Sequence, residues 1–167
     1  DPAWKKATKG SSWTDGDTYN LSIGQSDLQT TPLQVASAYC AIANGGTLYK
    51  PQIVNKILSG DSKEIVKEFN PEIIRSGFIN PENLEIVREG MRDGVTEPYG
   101  ISKILNNLPV SVAAKTGTAE IGIVNRYNVW SSVFAPYEDP EIVLVVTAES
   151  VDGVGSVTLP VARDVLD

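Results

Sequence analysis

The sequence predicts an α+β fold, in which a small antiparallel sheet is flanked by helices. Two observations support this prediction. Three apolar, β-branched stretches lie within residues 112–149, and the connection between the last two, residues 136–140, is too short for a crossover helix. Helical signals lie on either side of these strands, at residues 30–46 and 158–167.

Residues 1–20 predict an irregular segment that docks on the rest of the chain. The segment is rich in Lys, Gly, Ser, Thr and Asp, a composition that favours turns and loops. It also contains Trp4 and Trp13, and two tryptophans so close together are untypical of a free tail. We therefore expect the aromatic side chains to anchor it.

The sequence of residues 30–46 predicts a helix with a capping signal at each end. Thr31 and Gln34 form a capping box, and Pro32 suits the first helical position. Asn44-Gly45-Gly46 supplies a left-handed stop. Apolar residues occur nearly all round this helix, so we expect most of it to be buried.

The middle of the chain predicts a charged, peripheral hairpin followed by a second helix. Residues 48–60 and 64–70 form the two strands of the hairpin, joined through Gly60-Asp61. Asn80-Pro81 begins the helix. Its apolar positions recur every three or four residues, at Leu84, Val87, Met91 and Val95.

The three strands of the sheet are predicted at residues 112–120, 128–135 and 141–149. The third is almost wholly apolar, so we expect it to be the central strand, covered on both faces. Helix 158–167 then has Pro160 in its opening turn. Its apolar stripe consists of Val161, Val165 and Leu166.

The composition excludes several classes of function. The 167 residues include 14 basic and 21 acidic side chains, and the resulting net charge of -7 argues against a nucleic-acid surface. The chain has no histidine and a single cysteine, Cys40, which excludes a Ser-His-Asp triad or a Cys-His pair within it and argues against a zinc site. Any nucleophilic chemistry must therefore use lysine or a carboxylate as its base.

The stretch AAKTGTAE, residues 113–120, places a lone lysine among small residues. Thr116 and Thr118 share one side of the predicted strand, where two hydroxyls suit a carboxylate ligand. Gly117 lets a ligand approach the backbone, and an exposed N–H on an edge strand can stabilise an oxyanion. Strict alternation sends Lys115 to the opposite face, so all of them share a site only if it lies along the strand edge. The alternative is an edge strand that its lysine protects against aggregation.

Several stretches, in the same order, resemble the transpeptidase domain of penicillin-binding proteins. They are the Lys-Thr-Gly triad with its trailing Thr-Ala-Glu, GDTYNLSIGQSDLQTTPLQVASAYCAIANGG at 16–46, VWSSVFAPYEDPEIVLVVTAE at 129–149 and PVARDVL at 160–166. The stretch 16–46 is similar to the Ile-Gly-Gln…Thr-Pro-Leu-Gln region of the monofunctional, class B group. Within it, Gln25 and Ser26 lie near the active-site floor in relatives, and we interpret them as structural.

The resemblance implies a serine D,D-transpeptidase that cross-links peptidoglycan stem peptides through an acyl-enzyme and is acylated by β-lactams. In this family the serine of a Ser-x-x-Lys motif attacks the D-Ala-D-Ala bond, and the motif's lysine and a Ser-x-Asn motif handle proton transfer. By carry-over, Lys115 and Thr118 are catalytic: Lys115 polarises the proton network, and the Thr118 N–H is an oxyanion donor. The hydroxyls of Thr116 and Thr118 bind the substrate carboxylate, and Gly117 keeps this wall open. No metal or cofactor is implied.

Two motifs of the family are missing from the sequence. No serine lies three residues before a lysine, and none lies two residues before an asparagine. We therefore expect residues 1–167 to be the C-terminal portion of a single transpeptidase domain, inactive alone, with the nucleophile in an N-terminal half that is a second chain or a cleaved segment. In that case the strand 141–149 and the helix 31–44 should leave apolar faces exposed.

The expected partners are that N-terminal half, stem peptides ending in D-Ala-D-Ala, β-lactams and the cell-wall synthesis partners of the parent protein, but no nucleic acid. The resemblance places the parent protein on the extracytoplasmic face of the bacterial cell membrane, anchored through an N-terminal segment absent from these residues.

Two other interpretations stay open at this point. One is a penicillin-binding sensor or scaffold without turnover, which the sequence does not separate from an enzyme because sensors keep the serine. The other is an unrelated α+β domain with accidental motif matches. Geometry tests the latter, since in a transpeptidase Lys115, Thr116 and Thr118 should line one open edge of the sheet beside the helix 31–44.

Overall fold

The computed structural model describes residues 1–61, 63–153, 155 and 157–167. Three long strands form one antiparallel sheet in the order β5-β6-β7, and helices flank it, as the sequence predicted. No helix among the described residues has the length and apolar character needed to cross a bilayer. The elements in chain order are α1 (Pro2–Lys9), α2 (Asp15–Ser22), α3 (Pro32–Ala43), β1 (Leu48–Tyr49), β2 (Lys56–Leu58), β3 (Ile65–Glu68), β4 (Ile73–Arg75), α4 (Pro81–Thr96), a 3-10 helix (Lys103–Asn107), β5 (Ala113–Glu120), β6 (Arg126–Ala135), β7 (Ile142–Asp152) and α5 (Thr158–Leu166).

The N-terminal segment is helical, so the prediction of an irregular segment over residues 1–20 is wrong. Helix α2 begins with a capping box between Thr14 and Asp17. The Asp17 carboxylate also accepts from the Lys5 ammonium at 2.6 Å, which ties α1 to α2. Local capping and this ion pair therefore outweigh the turn-forming composition of the segment.

Helix α3 begins after the predicted capping box of Thr31 and Gln34, but it is not mostly buried as expected. Within α3, all of whose residues are described, burial is limited to Ala41 and Ala43. Leu33 is 60% exposed. The helix is apolar nearly all round, and the described residues leave part of that apolar surface uncovered. This agrees with the other expectation, that the helix 31–44 leaves an apolar face exposed.

Two short strand pairs follow α3. The predicted hairpin forms only between β2 and β3, because Leu48–Tyr49 pairs with Ile73–Arg75 instead. Helix α4 begins after its N-cap Asn80, as predicted. Of its predicted apolar positions, Leu84, Met91 and Val95 are buried and Val87 is 47% exposed.

The central strand of the sheet is β6, so the prediction that the strand 141–149 is central is wrong. Both connections of β6 are short, and it therefore pairs with its two sequence neighbours. Strand β7 lies at the other side of the sheet, and its residues 143–148 are all half-buried. The apolar side chains of β7 are therefore only partly covered by the described residues.

Helix α5 packs on the sheet through a different stripe from the one predicted. Leu159 and Ala162 are buried, whereas Val161 and Val165 are 49% and 59% exposed. Only Leu166 of the predicted stripe packs against the core. The helix begins at Thr158, and Leu159, Ala162 and Leu166 share its inward face because they recur at spacings of three and four residues.

The core lies on both faces of the sheet, and α4 contributes to both parts. On one face Val95 packs with Val112, Val133 and the buried side of α5. On the other face Met91 packs with Phe134 and the buried side of α3. Helix α4 therefore lies across the end of β5 and positions this strand between α3 and α5.

Two glycines allow the end of α4 to pack closely on its surroundings. A Cβ atom at Gly100 would lie 2.4 Å from the carbonyl oxygen of Gly94. One at Gly94 would lie 3.3 Å from the carbonyl oxygen of Ala114 in β5. Because both neighbours are backbone atoms, neither contact is relieved by a side-chain rotation.

Gly100→Ala should destabilise the protein, because the new methyl group overlaps backbone and α4 must move away from its turn. We expect a loss of about 2 kcal/mol in the free energy of unfolding, measured by urea denaturation. Gly90→Ala is the matched control, because Gly90 lies within α4 and a Cβ atom there would meet no atom within 4 Å. It should gain up to about 1 kcal/mol through helix propensity. Equal effects of the two substitutions would contradict this description of α4.

The contact between α1 and α2 should weaken in acid. The hydrogen bond from Lys5, together with those from Thr14, lowers the pKa of Asp17 from 3.8 to about 2. Because the folded-state pKa is below the unfolded one, the stabilisation is complete above about pH 4 and is lost as the pH falls towards about 2.

This pH dependence can be measured by following the side-chain carboxyl carbon of Asp17 by NMR. Lys5→Gln should move its midpoint up towards the ordinary value, and Lys6→Gln, which removes the same charge one residue away, should not. If Lys5→Gln leaves the titration midpoint of Asp17 unchanged, the ion pair does not form in solution.

Candidate active site

The Lys-Thr-Gly stretch lies on β5, at an edge of the sheet. All eight residues of β5 have a partner on β6. No strand pairs with the opposite edge of β5 within the described ranges. One edge of this strand is therefore open along the residues that the sequence singled out.

Side-chain donors reach two carbonyl groups at the open edge. The Lys115 Nζ donates to the Thr116 carbonyl oxygen at 2.5 Å, and the Gln25 Nε2 donates to the Thr118 carbonyl oxygen at 3.1 Å. In a strand the N–H and C=O of one residue point to the same side, and alternate residues share a side. The N–H groups of Thr116 and Thr118 therefore also face the open edge, and those of Lys115 and Gly117 face β6.

The lysine reaches this edge from the opposite face to the threonine side chains. Ala113, two residues earlier, packs with Tyr39 and Phe134 on the side of α3, and Lys115 shares that side by alternation. Its flexible stem nevertheless brings the ammonium group to the Thr116 carbonyl. The lysine and the threonines thus share one site along the edge, which is the geometry that strict alternation required.

A cavity of about 400 Å³ lies between β5 and α3. One wall is β5 with the neighbouring side chains of β6, and the other is the first half of α3 with the loop before it. The lining from β5 and β6 is Lys115, Thr116, Gly117, Thr118, Ala119, Trp130 and Ser132. The lining from the other wall is Ile23, Gly24, Leu28, Thr30, Gln34, Val35, Ala38 and Tyr39.

The structure thus brings all the sequence-predicted site residues, 115–118, to one cavity beside α3. Lys115, Gly117 and Thr118 are exposed, and Thr116 is half-buried. A Cβ atom at Gly117 would lie 3.6 Å from the Trp130 Cβ, an ordinary contact. The glycine therefore keeps space open in the cavity, although the fold itself would accept a methyl group there.

The surroundings of Lys115 are neutral on the α3 side. Burial raises the pKa of Tyr39, and its hydroxyl is hydrogen-bonded to the Ser132 side chain. Tyr39 is therefore uncharged at neutral pH and supports the cavity floor without altering its charge. Among the described residues, no three acidic or cysteine side chains converge in the way that metal ligands do.

Two arginines that the sequence analysis did not single out fasten the cavity walls to each other. Arg88 donates to the carbonyl oxygen of Ala43 at the end of α3, and to that of Tyr137 at 2.9 Å. Arg92 donates to the Val112 carbonyl oxygen at 2.6 Å, directly before β5. Both lie four residues apart on α4, and this spacing on one helix face is the signal that a sequence search could have used.

A family model confirms what this geometry indicates. The model described as the penicillin binding protein transpeptidase domain matches residues 3–167. The chain belongs to the penicillin-binding protein transpeptidase family. The interpretation as an unrelated α+β domain is therefore wrong.

Curated relatives carry names from the same family. The peptidoglycan D,D-transpeptidase MrdA of Salmonella typhimurium is 28% identical over 182 residues, which cover 99% of this chain. That alignment takes in 29% of the relative, so the chain spans less than a third of the length of the MrdA protein it matches.

Solved structures agree on the penicillin-binding protein fold. Pseudomonas aeruginosa PBP2, in complex with WCK 5153, superposes with a TM-score of 0.80 and 27% identity over 99% of this chain and 35% of its own. Penicillin-binding protein A of Mycobacterium tuberculosis, as an imipenem acyl-enzyme complex, superposes with a TM-score of 0.76 and 28% identity over 91% of this chain and 33% of its own.

The open edge of β5 predicts a pattern of amide hydrogen exchange. The N–H groups of Lys115 and Gly117 pair with β6 and should exchange slowly, whereas those of Thr116 and Thr118 face solvent and should exchange at least about a hundredfold faster. Exchange followed by NMR on this chain checks the alternation residue by residue. Uniform protection along 115–118 would contradict the open edge.

Proposed function

We propose that this chain forms the Lys-Thr-Gly wall of a serine D,D-transpeptidase that cross-links peptidoglycan stem peptides and is acylated by β-lactams. The observation that carries the proposal is the open edge of β5, where Lys115, Thr116, Gly117 and Thr118 border one cavity and the Lys115 ammonium group reaches the Thr116 carbonyl oxygen. The names of the relatives supply the reaction class, and the acyl-enzyme of the mycobacterial relative supports the acylation step.

The proposed reaction consists of two acyl transfers. The serine oxygen attacks the carbonyl carbon of the penultimate D-alanine, the C–N bond to the terminal D-alanine breaks, and the leaving amine takes the serine proton. The amine of a second stem peptide then attacks the resulting ester. This step forms the cross-linking amide and returns a proton to the serine oxygen.

The residues of β5 have distinct roles in this proposal. The Thr118 N–H donates to the oxyanion that forms at the attacked carbonyl, since it points to the open edge. The hydroxyls of Thr116 and Thr118 bind the terminal carboxylate of the peptide or of a β-lactam. The Lys115 ammonium offsets that negative charge and polarises the proton network, and Gly117 leaves room for the ligand.

We propose that the nucleophile lies in an N-terminal half of the same domain, because no Ser-x-x-Lys or Ser-x-Asn motif occurs in this sequence. An uncovered apolar groove of about 490 Å³ between α3 and the short strands supports this idea. Its lining includes Leu33, Ile42, Tyr49, Ile74 and Phe78. Cover from the missing half would remove this apolar surface from water, which is favourable at about 25 cal/mol per Å².

The cellular setting follows from the proposed substrate. Cross-linking of stem peptides takes place outside the cytoplasm, so we place the parent protein on the extracytoplasmic face of the bacterial membrane, anchored outside these residues. The cell-wall synthesis proteins that act with the parent protein are then its partners.

Labelling with a fluorescent penicillin tests this function. The 167-residue chain alone should give no covalent band on denaturing electrophoresis, and the complete domain should give one. Lys115→Met should slow acylation of the complete domain by about 100-fold, since it removes a charge that stabilises the transition state. Lys103→Met is the matched control, because Lys103 also donates to a backbone carbonyl, that of Pro98.

Three outcomes would overturn parts of the proposal. Label on the chain alone would show that it holds its own nucleophile. A complete domain that takes no label would contradict the acyl-enzyme function. A labelled domain that never cross-links stem peptides in a coupled assay would be a sensor without turnover.

A further inference from the structure

The side chain of Gln25 makes a contact that a purely structural role does not require. Its Nε2 donates to the Thr118 carbonyl oxygen at 3.1 Å, across 93 residues of sequence. Thr118 is exposed and Gln25 is half-buried, so the contact does not lie in the core. Thr118 lines the cavity, and so does Gly24, the residue before Gln25. The contact caps the open edge of β5 at one residue.

The loop that carries Gln25 is built to hold this side chain in place. The Gln25 N–H donates to the carbonyl oxygen of Asn20 at 2.9 Å, at the end of α2. Its two neighbours, Gly24 and Ser26, have φ values of 76° and 67°. A non-glycine residue in the left-handed region costs on the order of 1 kcal/mol, and such conformations cluster at functional sites.

The hydrogen bond acts on the orientation of Thr118. The Thr118 carbonyl and the Thr118 N–H point to the same edge, and the preceding residue, Gly117, is the most conformationally free residue of the strand. Pairing with β6 restrains Gly117 and Ala119, but it leaves the outward groups of Thr118 unrestrained. A donor on the carbonyl therefore fixes the direction of the N–H as well.

We propose that Gln25 is a positioning residue, which aims the Thr118 N–H at the oxyanion. This inference rests on the proposed function of that N–H. Because the oxyanion develops in the transition state, Gln25 sets the rate of acylation and not the affinity for the ligand.

Acylation kinetics of the complete domain with a chromogenic β-lactam test this role. Gln25→Met and Gln25→Glu both remove the donor at neutral pH, and each should lower the acylation rate constant about tenfold, the value of one hydrogen bond. The apparent dissociation constant of the β-lactam should stay unchanged. Gln52→Glu is the matched control, because the Gln52 Nε2 donates to the Phe69 carbonyl oxygen far from β5.

The pH dependence of the acylation rate distinguishes a positioning role of Gln25 from a general disturbance of the domain by the substitution. A protonated glutamic acid can donate again, so the deficit of Gln25→Glu relative to the unmodified domain should narrow as the pH falls towards about 4. The deficit of Gln25→Met should be the same at every pH. If Gln25→Glu does not fold, Gln25→Met still carries the rate measurement.

The results distinguish this inference from the function on which it rests. If the unmodified domain is not acylated, the proposed function fails and this role fails with it. If it is acylated and both variants react at the unmodified rate, only the role of Gln25 is wrong. A change confined to the dissociation constant, or a pH-independent deficit in Gln25→Glu, would also overturn it.

Discussion

Among the described residues, β5 pairs with β6 along one edge and with no strand along the other, and the site depends on this constraint. A strand that is paired on one side presents the backbone groups of alternate residues to the other side. Thr116 and Thr118 therefore supply backbone groups to the cavity, and Gly117 does not. Lys115 takes part through its long side chain, which reaches the edge from the opposite face.

Helix α4 holds this edge in position relative to α3. Arg88 bridges the end of α3 and the turn after β6, and Arg92 binds the residue before β5. The Arg88 guanidinium carbon lies 5.4 Å and 5.6 Å from the ring centres of Phe134 and Tyr137, which favours a desolvated positive charge. Hydrogen bonds from charged donors are worth about 1.5–3 kcal/mol each, so α4 joins α3 to the start of β5 although it does not line the cavity between them.

The apolar surface of α3 and the strands beside it connects the fold to the proposed function. A helix that is apolar nearly all round needs cover on every side, and the described residues leave apolar side chains of α3 such as Leu33 exposed. The same holds for β7, whose residues 143–148 are half-buried. Both surfaces are therefore candidates for contact with another part of the parent protein.

The sequence by itself determined the features that local chemistry controls. N-terminal capping acts within three residues, so the starts of α3 and α4 were predicted at Thr31 and Asn80. The alternation of the strands was predicted from local signals of the same kind, whereas the residues of the Lys-Thr-Gly wall were predicted from the resemblance to the penicillin-binding protein family. Composition misled in α1 and α2, where capping overrode it, and in α3 and β7, whose apolar residues are less covered than their composition suggested.

Tertiary structure alone decided which surfaces meet. The central place of β6, the inward stripe of α5 and the contact of Gln25 with Thr118 all join parts of the chain that local signals treat separately. An apolar strand has the same local sequence pattern at the centre and at the edge of a sheet, and a glutamine gives the same local signal in solvent and in a hydrogen bond to a strand. Burial and long-range hydrogen bonds distinguish these cases, and they exist only after the chain has folded.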